Sequence, residues 1–306
     1  MIALAQELEI RAPATAVVRT REELAQWLAE HPFPAVLKTD DSYGGRGVRI
    51  IGSPTEADHA WRALSRPPSP ARAIKRAIVN RDTNYVMPCL RGTRPVVNAQ
   101  RFVPGRDANC TVACWKGTIL GRVSVAVLAT VGALGPASVI HRIEHPEITA
   151  AAERIVRKLK LSGLIGLDFI LEEGTDHAHL IEMNPRATQI CHLPLDTGGD
   201  LLGPLRAIFS GEPLQQTVPV TDRDVIALFP QEWLRDPTSE FLRTAYHDVR
   251  WDEPELLRRC VRETIEVRVW TRLAVAARAA RGWFVRATDS GRTPREEAAH
   301  VRRADS

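Results

Sequence analysis

The stretch that most constrains this chain is residues 164–194, LIGLDFILEEGTDHAHLIEMNPRATQICHLP. Two apolar runs flank the polar stretch Glu172–His177, whose glycine and aspartate are typical of a hairpin turn. Folding about Thr175 places Asp168 opposite Glu182, because both lie equally far from it. The pattern therefore predicts a β-hairpin that brings two carboxylates close together in an otherwise apolar sheet.

Oxygen ligands converge on this hairpin. Side chains alternate between the two faces of a strand, so Glu182 and Asn184 point the same way. Like charges this close repel each other unless a cation lies between them, and a set of oxygen ligands suits Mg²⁺ or Mn²⁺ better than zinc. Arg186 continues the alternation and indicates an anion, such as a phosphate, beside the metal. The alternative is a buried hairpin whose carboxylates lie in solvent at the rim of the sheet.

A second motif is a lysine followed by a glycine-rich loop, in the sequence LKTDDSYGGRGV of residues 37–48. Lys38 ends one predicted strand, and the loop with Gly44, Gly45 and Gly47 leads into the next. Backbone N–H groups of such a loop can approach an anion closely, and Lys38 would add a positive charge. This is not the Walker pattern, because no Gly-Lys-Ser or Gly-Lys-Thr opens a helix. The alternative is an ordinary glycine-rich hairpin.

The third stretch is AQRFVPGRD, residues 99–107, which alone reads as a strand, a turn and a strand. Together, and in this order, the three stretches resemble the ATP-grasp superfamily over residues 10–211. The run Glu-Met-Asn-Pro-Arg after Leu-Asp-Phe is the most specific part of the resemblance. It implies an α+β fold with two lobes whose antiparallel sheets clamp ATP.

The resemblance assigns ATP-binding roles to three places. The strand lysine would bind the α- and β-phosphates, and the glycine loop would fold over the triphosphate. At the hinge between the lobes, two backbone positions would meet the adenine edge, and an aspartate would bind the ribose hydroxyls where the family more often has glutamate. Gln100 also stands where the family often has glutamate. The residues concerned are Lys38, Ser42, Gly44, Gly45, Gly47, Gln100, Arg101, Val103 and Asp107.

The resemblance also implies a reaction. Asp168, Glu182 and Asn184 would hold Mg²⁺ or Mn²⁺, and Arg186 would contact the transferring phosphoryl group or the acyl phosphate. The activity implied is a carboxylate–amine ligase that forms ADP, in which ATP phosphorylates a carboxylate and an amine attacks the acyl phosphate. Family members usually carry an N-terminal domain, which this chain is expected to lack.

That expected lack keeps a second hypothesis open, a non-catalytic ATP-binding subunit or remnant. A third hypothesis is an ATP-grasp enzyme that forms carboxyphosphate or carbamoyl phosphate. The leading hypothesis has small-molecule carboxylate and amine substrates.

Composition limits the remaining classes. The 306 residues are 44% hydrophobic, and a formal charge of +4 is too balanced to indicate nucleic acid. Five cysteines without a CxxC pair are typical of reduced thiols, so a cytoplasmic location is expected. No run approaches the roughly 18 apolar residues of a membrane span.

The expected domains are a small lobe with the glycine loop, a large lobe with the metal site, a helical Arg-rich extension and a disordered tail. Their boundaries are 1–97, 98–221, 222–289 and 290–306. The extension either packs on the body with its arginines in solvent or docks a protein partner or a second copy of the chain.

Overall fold

Alternating apolar residues build two antiparallel sheets in this protein. The computed structural model describes residues 1–39, 47–67, 69–79, 83, 85–133, 135–193, 200–214 and 219–262. In these residues the strands are β1 (Thr15–Val18), β2 (Ala35–Thr39), β3 (Val48–Ile51), β4 (Val97–Arg101), β5 (Gly105–Trp115), β6 (Thr118–Thr130), β7 (Ala137–Arg142), β8 (Gly163–Glu172), β9 (Ala178–Asn184), β10 (Val225–Leu228) and β11 (Tyr246–Asp248).

The helices of the same residues are short, apart from α2, α3, α4 and α6. They are α1 (Ile2–Glu7), α2 (Arg21–Glu30), α3 (Pro54–Leu64), α4 (Pro70–Val79), α5 (Val86–Arg91), α6 (Pro146–Leu159), α7 (Leu202–Ser210), α8 (Gln231–Arg235) and α9 (Phe241–Thr244). Among the residues described, no helix is both long and apolar enough to cross a membrane.

The smaller sheet has the strand order β1-β4-β2-β3. Its apolar face, with Leu37 and Ala99 fully buried, packs against α2 and α3. Both helices begin at a hydroxyl cap, since Thr20 accepts a hydrogen bond from the N–H of Glu23 and Ser53 accepts one from the N–H of Glu56. This sheet carries Lys38 at its centre.

The larger sheet has the order β11-β10-β7-β6-β5-β8-β9. Helix α6 covers one face, where Cys110 and Val112 meet Ile148 and Ile155. The other face, which includes Val125, is covered by helix α7 and by the segment that follows β9. The α+β fold with two antiparallel sheets, predicted from the sequence, is confirmed.

Residues Met1–His247 form one compact unit, and Asp248–Ser306 form a second. Of the second unit, the structure describes residues 248–262, and residues 254–262 are helical. The four predicted domain boundaries stay predictions. Within 222–262, β10 and β11 accompany the short helices, so the large sheet continues beyond residue 221. Residues 263–289 of the predicted extension and the whole predicted tail lie outside the described residues.

The close contact between β5 and β8 can be tested by substitution of Gly105. Its φ is +154°, and a Cβ there would lie 2.0 Å from the carbonyl oxygen of Leu171. We expect Gly105→Ala to lower the free energy of unfolding by about 3 kcal/mol, measured by urea denaturation. Gly132→Ala is the matched control, because Gly132 also has positive φ but nothing within 4 Å of its added Cβ. It should cost about 1 kcal/mol. Equal losses in both variants would contradict the close contact.

Candidate functional site

A bulge in β9 decides which side chain faces Asp168. The pairs from Leu171 with Ala178 to Phe169 with Leu180 are regular, and the register then shifts so that Asp168 pairs with Glu182. Ile181 is the extra residue. Without it Asp168 would face Ile181, because a slip of one residue exchanges the two faces of a strand. The predicted pairing of the two carboxylates is therefore confirmed, although its derivation assumed a regular ladder.

Two amides hold the carboxylate of Asp168. Oδ1 accepts a hydrogen bond from Asn109 Nδ2 at 2.5 Å, and Oδ2 accepts one from Asn184 Nδ2 at 2.8 Å. Asn109 pairs with Asp168 across β5 and β8, and Asn184 pairs with Gly166 across β8 and β9. Both amides thus reach Asp168 from neighbouring strands, which leaves one lone-pair direction on each carboxylate oxygen.

Burial raises the pKa of Asp168 to about 6. The hydrogen bond from Asn109 opposes this shift, the negative charges of Glu182 and Asp107 add to it, and the positive charge of Arg186 lowers it. Glu182 and Arg186 are themselves exposed. The site thus carries more negative charge than its own cationic side chain balances.

This donor set fits Mg²⁺. Asn184 donates from its Nδ2 to Asp168, so its Oδ1 is the atom that would act as a ligand beside the carboxylates of Asp168 and Glu182. Across the part of the chain that the structure describes, no three His, Cys, Asp or Glu residues cluster as a metal site. Water and phosphate oxygens commonly complete the coordination of Mg²⁺ in proteins.

Lys38 joins the two sheets at the bulge. Its Nζ donates to the carbonyl oxygen of Ile181 at 3.2 Å, next to Glu182 in the chain. The structure thus brings the predicted phosphate-binding lysine to the strand that carries the predicted metal ligands. Of the predicted glycine loop, Gly47 is described, is buried, and accepts a hydrogen bond from the N–H of Thr39 at 3.0 Å. Ser42, Gly44 and Gly45 lie outside the described residues.

At the predicted hinge, two bonds tie the end of β4 to the start of the neighbouring strand β1. The backbone N–H of Arg101 donates to the carbonyl of Ala14 at 2.8 Å, and Nε2 of Gln100 donates to Oγ1 of Thr15 at 2.9 Å. The N–H of Arg101 is thus bonded within the protein, and the adenine contacts predicted for the backbone of Arg101 and Val103 stay predictions. Val103 follows and is buried.

Asp107 and Arg186 flank the carboxylate pair. Asp107 lies two residues before Asn109 in β5, so it shares a sheet face with Asp168. Partial removal of the Asp107 carboxyl from water by the surrounding protein raises its pKa, although the residue is exposed. Nη1 of Arg186 donates to the carbonyl of Ala187 at 3.2 Å. The ribose and phosphate roles predicted for these two residues stay predictions.

Sequence reasoning missed the polar neighbours of Asp168. Asn109, Thr111 and Thr188 form hydrogen bonds in one chain that ends on Asp168. The signal was the alternation of Asp107, Asn109 and Thr111, which places three polar side chains on one face of a mostly apolar strand.

Comparison with solved structures finds proteins to which this chain is similar. N5-carboxyaminoimidazole ribonucleotide synthetase from Thermus thermophilus is 22% identical over 71% of this chain and 52% of that chain, with a TM-score of 0.48. The biotin carboxylase domain of the Hydrogenobacter thermophilus 2-oxoglutarate carboxylase, solved with MgADP, ADP and bicarbonate, is 16% identical. That match covers 70% of this chain and 45% of that chain, with a TM-score of 0.51. This chain therefore spans about half the length of the structures it matches.

Comparison at the level of protein families is more specific. No curated protein sequence matches the chain. The family described as "Carbamoyl-phosphate synthase L chain, ATP binding domain" matches residues 2–217, which include both sheets up to α7 and every predicted site residue. The chain belongs to this family of ATP-grasp domains.

Proposed function

We propose that this protein is an ATP- and Mg²⁺-dependent ligase that activates a carboxylate as an acyl phosphate for attack by an amine, with release of ADP. The observation that carries this proposal is the meeting of Lys38 with the bulge that sets Glu182 opposite Asp168. A phosphate-binding cation from one sheet and metal-binding carboxylates from the other suit a triphosphate between them. Membership of a family of ATP-binding domains supports the same conclusion.

The chain's own residues act by position and charge. Lys38 neutralises charge on the α- and β-phosphates, and Arg186 contacts the phosphoryl group as it moves to the carboxylate oxygen. Asp168, Glu182 and Asn184 would hold Mg²⁺, which would stabilise the negative charge on the phosphate oxygens. The carboxylate displaces ADP from the γ-phosphorus, and the amine then displaces phosphate from the acyl carbon. No side-chain nucleophile takes part.

A second candidate is the formation of carboxyphosphate from bicarbonate. The family description names carbamoyl-phosphate synthase, and bicarbonate is a small oxyanion, similar to a carboxylate, that the same site could phosphorylate. Bicarbonate-dependent release of ADP without any other carboxylate would identify this chemistry. The chain's activity, substrates and partners are proposals in either case, because the chain spans only part of the proteins it matches.

The ligase proposal predicts that turnover depends on Glu182. Purified protein is incubated with ATP, Mg²⁺ and pooled carboxylates and amines, and release of ADP and phosphate is measured. Glu182→Ala should lower the rate about 100-fold or more, because it removes a metal ligand from the phosphoryl-transfer site. Glu173→Ala, in the exposed turn of the same hairpin, is the matched control and should retain the wild-type rate.

An unchanged rate in Glu182→Ala would show that the metal site is misassigned. Binding of ATP without any substrate-dependent turnover would instead favour the non-catalytic ATP-binding subunit.

The buried carboxylate predicts a pH dependence of stability in metal-free protein. The folded pKa of Asp168, about 6, lies above its ordinary value of 3.8. The unfolded chain therefore releases this proton first, and wild-type stability falls as pH rises from about 4 to about 6. Asp168→Asn has no proton to lose. Its stability relative to wild type should rise by about 3 kcal/mol at most between pH 4 and pH 7, measured by urea denaturation in EDTA.

A second measurement checks the cause of this dependence. Adding Mg²⁺ at pH 7 should stabilise the wild type, because the cation offsets the buried charge, and should not stabilise Asp168→Asn. A stability difference that stays constant from pH 4 to pH 7 would contradict the burial of an ionised Asp168.

A further inference from the structure

A directed chain of hydrogen bonds runs into the carboxylate of Asp168. An ionised carboxylate can only accept, so Asn109 must turn its Nδ2 to Asp168 and its Oδ1 towards Thr111. Thr111 Oγ1 then donates its one proton to Asn109 Oδ1 at 3.0 Å. The contact of 2.5 Å between the hydroxyls of Thr111 and Thr188 is therefore donated by Thr188. The donor and the acceptor of every bond in this chain are therefore fixed by the carboxylate at its end.

This chain of bonds joins two strands of the large sheet to the segment that follows β9. Asn109 and Thr111 lie on β5, Asp168 lies on β8, and Thr188 lies in the segment after β9, two residues beyond Arg186. The approach of Thr188 depends on Gly166, since a Cβ at position 166 would lie 2.3 Å from Cγ2 of Thr188. The absence of a side chain at Gly166 thus allows the loop that follows Arg186 to pack against β8.

We propose that Asn109 is a positioning residue that fixes the carboxylate of Asp168 for a divalent cation, and that Thr111 and Thr188 extend this effect to the loop of Arg186. With Asn109 on Oδ1 and Asn184 on Oδ2, the plane of the carboxylate has one orientation. Groups that orient metal ligands in this way commonly change metal affinity about 10- to 100-fold. The inference rests on the proposed function, because it takes Asp168 as a ligand of the metal.

The test is a binding measurement on the full chain that needs no turnover. Mn²⁺ is titrated in the presence of a non-hydrolysable ATP analogue, and free Mn²⁺ is read from its electron paramagnetic resonance signal. Asn109→Leu removes both hydrogen bonds of the amide at similar volume, and should weaken Mn²⁺ binding about tenfold. Affinity for the analogue in EDTA should stay within twofold of wild type, which a loss of overall structure would not allow.

Thr111→Val provides a second variant in case Asn109→Leu fails to fold. It keeps the shape of the side chain and removes the proton that holds Asn109, so we expect Mn²⁺ affinity to fall about threefold. Thr118→Val is the matched control, because Thr118 is exposed on the neighbouring strand β6, and it should bind Mn²⁺ as the wild type does.

Asp168→Asn separates the assignment of the metal site from the positioning role of Asn109. If Asp168→Asn loses Mn²⁺ binding while Asn109→Leu and Thr111→Val keep wild-type affinity, the positioning role is wrong and the metal site stands. If Asp168→Asn also keeps wild-type affinity, the metal assignment fails, and the positioning role fails with it.

Discussion

The one-residue bulge at Ile181 is the constraint on which the rest of the site depends. Side chains alternate strictly along a strand, so a regular β9 would turn Glu182 away from Asp168. The bulge returns Glu182 and Asn184 to the face of Asp168 and presents the carbonyl of Ile181 to Lys38. One irregular position therefore determines both the arrangement of the proposed metal ligands and their contact with the smaller sheet.

Around this bulge the protein concentrates negative charge and then offsets part of it locally. Burial and two neighbouring carboxylates raise the pKa of Asp168, whereas the amide of Asn109 and the charge of Arg186 favour its ionised form. Burial prevails among these effects, and the pKa of Asp168 is raised to about 6. A divalent ion at the proposed site would offset the repulsion between Asp168 and Glu182.

Local patterns revealed the hairpin, whose apolar runs and polar turn lie within one short stretch. They also led to the correct pairing of Asp168 with Glu182, but through a turn centred on Thr175. The structure closes the hairpin with a bond from the N–H of Glu172 to the carbonyl of His177, so its centre precedes Thr175 and the bulge makes up the difference. No glycine or proline marks Ile181, and the bulge was therefore invisible in the sequence.

Other features depend on contacts between distant parts of the chain. Strand β10 pairs with β7, which lies far away in sequence, and a run of four residues says nothing about such a partner. Asn109 and Thr111 show a visible alternation in the sequence. Their hydrogen bonding also depends on Thr188, which lies against Gly166 and could not be inferred from that alternation. Local periodicity predicts faces of strands, whereas the partners on those faces follow from the tertiary fold.

The contact between Lys38 and the bulge has a consequence for how the two ligands of the site influence each other. The Nζ of Lys38 donates to the carbonyl oxygen of Ile181, so a group of the smaller sheet is bonded to the backbone immediately before Glu182. A phosphate held by Lys38, as proposed above, would be linked to Glu182 through this bond. Any effect of the nucleotide on the affinity for the cation would then be matched by an equal effect of the cation on the affinity for the nucleotide, because a coupling free energy between two sites is reciprocal. One hydrogen bond between the two sheets would connect the two proposed binding sites.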